Sequence, residues 1–210
     1  MRVTEIFQSI QGEGTRAGRP CVFVRFTGCD LRCTYCDTAY AFHGGAEMTR
    51  GEIVEAMERF PARLACLTGG EPLLQRELPE LGRELLDGGW EVTVETHGQR
   101  PLDELPEGVV RIADVKTPGS GEPATELGWL DRLRPTDEVK FVIASEEDFD
   151  WSVAVARRHR LAERVTVLVS PVAGLVEPAD LVRWLLGSGL GARLSLQLHK
   201  IVWGPDARGV

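Results

Sequence analysis

Seven runs of the chain are almost continuously apolar or β-branched: CVFVRF (21–26), RLACLT (63–68), WEVTVET (90–96), VVRIADV (109–115), EVKFVIA (138–144), RVTVLVS (164–170) and RLSLQL (193–198). Strands covered on both faces have this pattern. Between most of them, apolar residues recur at helical spacing. TRGEIVEAMERF opens with Thr49 and carries Glu52 three residues on, which predicts a capping box, and Ile53, Val54 and Met57 form its apolar stripe. LLQRELPELGRELLDGG (73–89) predicts a helix that stops at Gly-Gly, EEDFDWSVAVARRH a third, and EPADLVRWLLGSG a fourth with Pro at its start and Gly at its end. Alternating strand and helix predicts an α/β fold with a mainly parallel sheet and right-handed crossovers, open or part of a barrel. Chemistry in such folds gathers at the C-terminal ends of the strands.

Length and composition narrow the class. A chain of 210 residues can bury a full core without disulfides, and the expectation is one domain spanning 1–210. A net charge of −8 without a Lys/Arg block argues against nucleic acid or an anionic membrane as partner. The opening MRVTEIFQSIQ has no continuous apolar stretch and no small-residue cleavage site, so a cytoplasmic location is expected. The segment KTPGSGEP (116–123), directly after a strand, reads as a loop at the active edge.

Of the five cysteines, Cys29, Cys33 and Cys36 lie close together just past the first strongly apolar strand. Spacing and a reducing compartment point to metal chemistry rather than disulfides. Three thiolates can hold three corners of a 4Fe-4S cluster and leave the fourth iron open. A zinc knuckle completed by His43, Cys66 or Cys21 is the alternative. Outside that reading, Cys21 and Cys66 sit inside strand patterns, as small buried apolar residues do.

The C-x3-C-x2-C spacing, with Tyr35 inside its last C-x2-C, resembles the signature of the radical S-adenosylmethionine (SAM) superfamily, and TGGEP (68–72) resembles that superfamily's Gly-Gly-Glu element. The resemblance implies that the open iron is chelated by SAM, and that one electron from the reduced cluster breaks the sulfonium bond to give a 5′-deoxyadenosyl radical. Further motifs, EIFQSIQGEG, CDT, VETHG, DVKTPGSGE and LQLHK, are similar to those of the 7-carboxy-7-deazaguanine synthase family. That similarity covers nearly the whole chain. It implies a partial, open β/α barrel with trimmed helices and conversion of 6-carboxy-5,6,7,8-tetrahydropterin to 7-carboxy-7-deazaguanine with loss of ammonia. SAM would be used catalytically, Mg²⁺ would be required, an external electron donor such as flavodoxin would reduce the cluster, and the protein would be a homodimer.

Residue by residue, the resemblance implies the cluster on Cys29, Cys33 and Cys36 and Mg²⁺ on Thr38. SAM would be met by Tyr35, Cys36, Asp37, Gly70, Glu95, Asp114, Val115, Lys116, Ser170, Pro171, Val172 and Ala173. The pterin would be met by Ile10, Gln11, Gly12, Arg25, Thr68, Gln197 and His199. The tail IVWGPDARGV departs from relatives that end in a short Leu-Pro contacting substrate. Two other readings stay open: a glycyl-radical activating enzyme acting on a protein, and a zinc-binding interaction module.

Overall fold

The structure, a computed structural model, describes residues 1–204 and 207–210. Its strands are β1 (Arg2–Ile10), β2 (Pro20–Phe26), β3 (Ala46–Glu47), β4 (Leu64–Gly69), β5 (Glu91–Thr96), β6 (Val110–Asp114), β7 (Glu138–Ile143), β8 (Thr166–Pro171) and β9 (Ala192–Leu194). The helices are α1 (Arg50–Glu58), α2 (Leu78–Asp87), α3 (Glu146–Arg158), α4 (Pro178–Ser188) and α5 (Leu198–Trp203). The strands form one nine-stranded open sheet in the order β3-β1-β2-β4-β5-β6-β7-β8-β9. From β2 onward every pairing is parallel, and β1 runs antiparallel to both β2 and β3. The open, mainly parallel α/β architecture expected above is the one observed.

Three elements differ from expectation. RVTEIFQSI is a strand, although its mixed polar and apolar residues, mostly half-buried, carry no continuous apolar run. The 73–89 helix is broken: Pro72–Leu74 form a single 3-10 turn, and α2 starts at Leu78 with Pro79 in its first turn, where a missing N–H costs nothing. The run 193–198 leaves the sheet after Leu194, and its last residue begins α5. The Thr49–Glu52 capping box of α1 is formed as predicted.

Successive side chains of a strand face opposite sides of the sheet, and that period of two builds the site. On β7, Val139, Phe141 and Ile143 are wholly buried in the core with α3 and α4, whereas Lys140 and Val142 face the concave side. Val92 and Val94 of β5, like Val22, Val24 and Phe26 of β2, pack with α1 and α2, leaving Glu95 and Arg25 on the inside. The amphipathic α2 contributes Leu78, Leu81 and Leu85 to that same core.

Candidate active site

A cavity of about 350 Å³ opens inside the curve of the sheet, at the C-terminal ends of its parallel strands. Its rim carries Cys29, Cys33 and Cys36, all three half-buried free thiols. The loop that bears them is turned by the Cys36 N–H donating to the Cys33 carbonyl at 3.2 Å and braced by Thr34, whose N–H donates to the Ser120 carbonyl at 2.9 Å. The Leu31 N–H donates to Cys29 Sγ at 3.4 Å, a contact that favours a thiolate. Burial pushes the thiols of Cys29 and Cys33 up from the ordinary value. A metal bound there would reverse that shift, because a coordinating thiol is deprotonated outright.

The Gly-Gly-Glu turn after β4 lies directly against this loop. The Gly70 N–H donates to the Phe26 carbonyl at 3.2 Å and the Glu71 N–H to the Gly28 carbonyl at 2.8 Å. A Cβ on Gly70 would run into the Gly28 carbonyl and stand 2.9 Å from Cys29 Cβ, so only glycine permits the approach. Glu71 itself is wholly buried and accepts from Leu73 N–H and from Thr96 Oγ1, each at 2.9 Å.

The concave wall is charged and nearly self-compensating. Glu95 accepts from Thr68 Oγ1 at 3.1 Å and from Gln11 Nε2 at 3.4 Å. Glu13 accepts from Lys140 Nζ at 2.7 Å and from Gln197 Nε2 at 2.8 Å, joining three distant parts of the chain. Asp114 Oδ2 accepts from Lys116 Nζ at 2.8 Å, with Lys140 Nζ at 3.8 Å. Burial would raise the Asp114 carboxyl, but the two ammonium groups hold it below its usual value, and Asp114 in turn holds Lys116 well above the lysine range against the effect of burial. Asp114 Oδ1 is buried and has no partner among the described residues, an acceptor left for a ligand.

At the far end of the cysteine loop α5 closes over the CDT segment. Asp37 accepts from Lys200 Nζ at 2.7 Å, from Gln197 Nε2 at 3.2 Å and from Thr38 Oγ1 at 2.9 Å. Burial pushes its carboxyl up, and those donors, Lys200 foremost, overcome it and hold the group well below the carboxylate range. His199 presses on the glycine loop so closely that a Cβ on Gly12 would lie 2.5 Å from its Nδ1, and burial lowers its imidazole pKa. Burial likewise pushes Tyr35 up to about 12; its hydroxyl donates to the Val142 carbonyl at 3.4 Å. Arg25 donates to Glu5 at 2.7 Å and stands between the rings of Phe7 and Tyr40.

Of the residues singled out from the sequence, the structure brings to this cavity Gln11, Gly12, Arg25, Cys29, Cys33, Tyr35, Cys36, Asp37, Thr38, Thr68, Gly70, Glu95, Asp114, Lys116, Ser170, Pro171, Val172, Ala173, Gln197 and His199. It does not bring Ile10 or Val115. Ile10 ends β1 before the chain turns inward, and Val115 points into the apolar core, its N–H donating to the Lys140 carbonyl at 2.8 Å. Glu13, His97, Lys140 and Lys200 line the cavity and were missed. For Lys140 the signal was available: a lone lysine at an alternate position of the apolar run EVKFVI. Pro205 and Asp206 of the departing tail lie outside the described residues.

The donor set fits an iron-sulfur cluster. Three thiols, soft ligands once deprotonated by a metal, share the rim, while Cys21 and Cys66 pack with Leu64 in a separate apolar cluster and His43 is exposed, so none of the candidate zinc ligands lines the cavity. Gly69 and Gly70, which put no side chain on the cavity wall they line, and the unpartnered Asp114 oxygen suit a polar cofactor beside it. Thr38 supplies a hard oxygen of the kind Mg²⁺ takes.

Fold and site together define a radical SAM protein, and residues 23–115 match the Radical SAM superfamily. The fold is shared with QueE from Escherichia coli at a TM-score of 0.75 and 20% identity, over 93% of both chains. Along its whole length the chain is 43% identical to the 7-carboxy-7-deazaguanine synthase of Koribacter versatilis, covering 100% of each, and 41% identical to that of Chlorobaculum tepidum, covering 97% of the relative. The chain belongs to the 7-carboxy-7-deazaguanine synthase family.

Proposed function

We propose that this protein is a radical SAM lyase that converts 6-carboxy-5,6,7,8-tetrahydropterin to 7-carboxy-7-deazaguanine with loss of ammonia, in 7-deazapurine (queuosine) biosynthesis. The observation that carries the reading is one small cavity whose rim holds three thiols and whose wall is lined by paired carboxylates and cations, in a chain alike from end to end to relatives of that name. When bound, the cluster and SAM supply the hydrogen-abstracting radical and Mg²⁺ a hard Lewis acid.

In this reading Cys29, Cys33 and Cys36 hold the cluster and Thr38 offers its hydroxyl to Mg²⁺. Gly70 lets SAM approach the backbone, Glu95 and the free oxygen of Asp114 accept hydrogen bonds from its amine or ribose, and Lys116 keeps Asp114 ionised. Ser170 to Ala173 complete that side with Tyr35 and Asp37. Arg25 faces the anionic substituent of the pterin, and Gln11, Gly12, Thr68, Gln197 and His199 surround its ring. Glu13, Lys140 and Lys200 hold these groups in place and exclude water. Residues 1–210 would act as one radical SAM domain, in the cytoplasm, as a homodimer reduced by an external donor such as flavodoxin. No helix among the described residues is long and apolar enough to cross a membrane.

A glycyl-radical activating enzyme must admit a loop of a partner protein. A cavity of about 350 Å³, floored by Glu13, Lys140 and Gln197, suits a small polar molecule better. The test supplies reduced, iron-reconstituted protein with SAM, Mg²⁺ and the carboxytetrahydropterin, and follows the deazaguanine by mass. Catalytic formation of product with SAM largely preserved is expected; SAM cleavage without product would overturn the assignment.

A further inference from the structure

Asp30 follows Cys29 directly and is gripped from two sides. Its Oδ1 accepts from His97 Nε2 at 2.9 Å, and its Oδ2 accepts from Arg100 Nε and Nη2 at 2.9 and 2.6 Å. The His97 ring is buried, and its Nδ1 accepts the Gln99 N–H at 3.1 Å. In the neutral ring the proton is therefore on Nε2, and that one N–H faces both Asp30 and, at 3.2 Å, Glu71 Oε2. Glu71 also accepts the His97 backbone N–H at 3.0 Å and sends its own N–H to Gly28 at 2.8 Å. The circuit closes: Gly28 and Asp30 flank Cys29, and both are tied through Glu71 and His97 to the ends of β4 and β5.

We propose that His97, Asp30 and Arg100 form a clasp that orders the Cys29 end of the cysteine loop before any cluster is assembled, and that the Asp30–Arg100 charge pair beside Cys29 sets the reduction potential of the cluster held there. This rests on the reading of the three cysteines as cluster ligands. His97 and Arg100 are positioning residues that act through Asp30 and the loop. The physical reasons are two. A ligand loop already held in place needs no ordering when iron arrives, as partners behind metal ligands provide elsewhere. Charge close to a cluster shifts its potential, a carboxylate favouring the oxidised form and a guanidinium the reduced form. Arg100 offsets Asp30, so removing either unbalances the pair in an opposite sense.

The experiment uses the full chain in two states. In metal-free protein, amide exchange across residues 29–34 is compared among wild type, His97→Leu and Arg100→Met; Arg100 is half-exposed, so its variant keeps the fold even where His97→Leu loses it. Exchange several-fold faster in the variants is expected, with faster loss of iron to a chelator after reconstitution. In reconstituted protein, a potentiometric titration followed by electron paramagnetic resonance should place Asp30→Asn above wild type and Arg100→Met below it. Unchanged exchange in Arg100→Met, or potentials that stay put or move the same way in both, overturns the proposal. Iron uptake and pterin turnover by the wild type are followed separately. A wild type that holds its iron and cleaves SAM yet leaves the pterin untouched sinks the proposed reaction and not the clasp, whereas one that takes up no iron removes both.

Discussion

The two sides of the cavity are held by different forces. On the side of β2, β4 and β5, the cysteine loop and the Gly-Gly-Glu turn meet through backbone hydrogen bonds and a side-chain-free approach at Gly70, with side-chain pairing confined to the Asp30 clasp behind Cys29. On the side of β6 to β9 and α5, the wall is joined by charge pairs, two of them between residues far apart in sequence, Glu13 with Lys140 and Asp37 with Lys200, and one local, Asp114 with Lys116. Backbone contacts of the first kind tolerate no added atom. Ion pairs of the second kind tolerate changes of shape, but where they are buried they do not tolerate the removal of one partner.

The largest break in that contrast is Gly70→Ala. The new Cβ meets backbone, which cannot swing aside as a side chain can, and the expected cost is about 3 kcal/mol of stability with turnover down roughly 100-fold. Denaturant melts and iron content check it; a variant that keeps both would show that the two loops are not locked.

Next comes Lys140→Met, which leaves Glu13 and Asp114 facing the cavity without their shared cation. Unfolding should become easier by roughly 2–3 kcal/mol, since one partner of a largely buried pair is lost while Gln197 and Lys116 remain. The Michaelis constant for the pterin should rise more than kcat falls, and steady-state kinetics separate the two.

A smaller effect concerns pH. Burial lowers the pKa of His199, so the folded protein binds fewer protons than the unfolded chain between that lowered value and about 6.5. The stability of the neutral, buried ring is fully present above about 6.5 and is lost as pH falls through the lower folded value. Thermal melts of the metal-free protein at about pH 7.5 and about pH 5.5 should therefore converge in His199→Gln relative to wild type.

The smallest effect is Lys200→Ala. Asp37 is half-exposed in its pair with Lys200, so the loss should be no more than about 1 kcal/mol, weakened further by salt. Its mark should be kinetic, a few-fold drop in kcat/KM as α5 loosens over the CDT segment, read at two ionic strengths.

This contrast also divides what could be read from the chain. The early side was legible because its chemistry is local: cysteines at fixed spacing, adjacent glycines, and strands that announce themselves as apolar runs. Arg25, Thr68 and Glu95 came with those motifs and lie on the cavity wall. Val115 fell in the same motif as Asp114 and Lys116, but the period of two along β6 and the residue after it turns Val115 into the core. β1 was missed because an antiparallel strand at the margin of the sheet is only half-buried and needs no continuous apolar run. The run 193–198 looked like strand in composition, yet its last residues cap and begin α5 because Leu198 N–H is taken by the Gly12 carbonyl at 3.0 Å rather than by β8.

What the sequence alone determined is the class of fold, the cysteine loop, the Gly-Gly-Glu turn and the family they belong to, all of which depend on residues near one another in the chain. Tertiary structure decided that Glu13, His97 and Lys200 belong to the same cavity as Lys140, whose place in an apolar run already set it apart. Their polar groups are matched by partners on other strands and loops, and no local pattern can encode a pairing that exists only once the sheet has curved and brought both ends of the chain together.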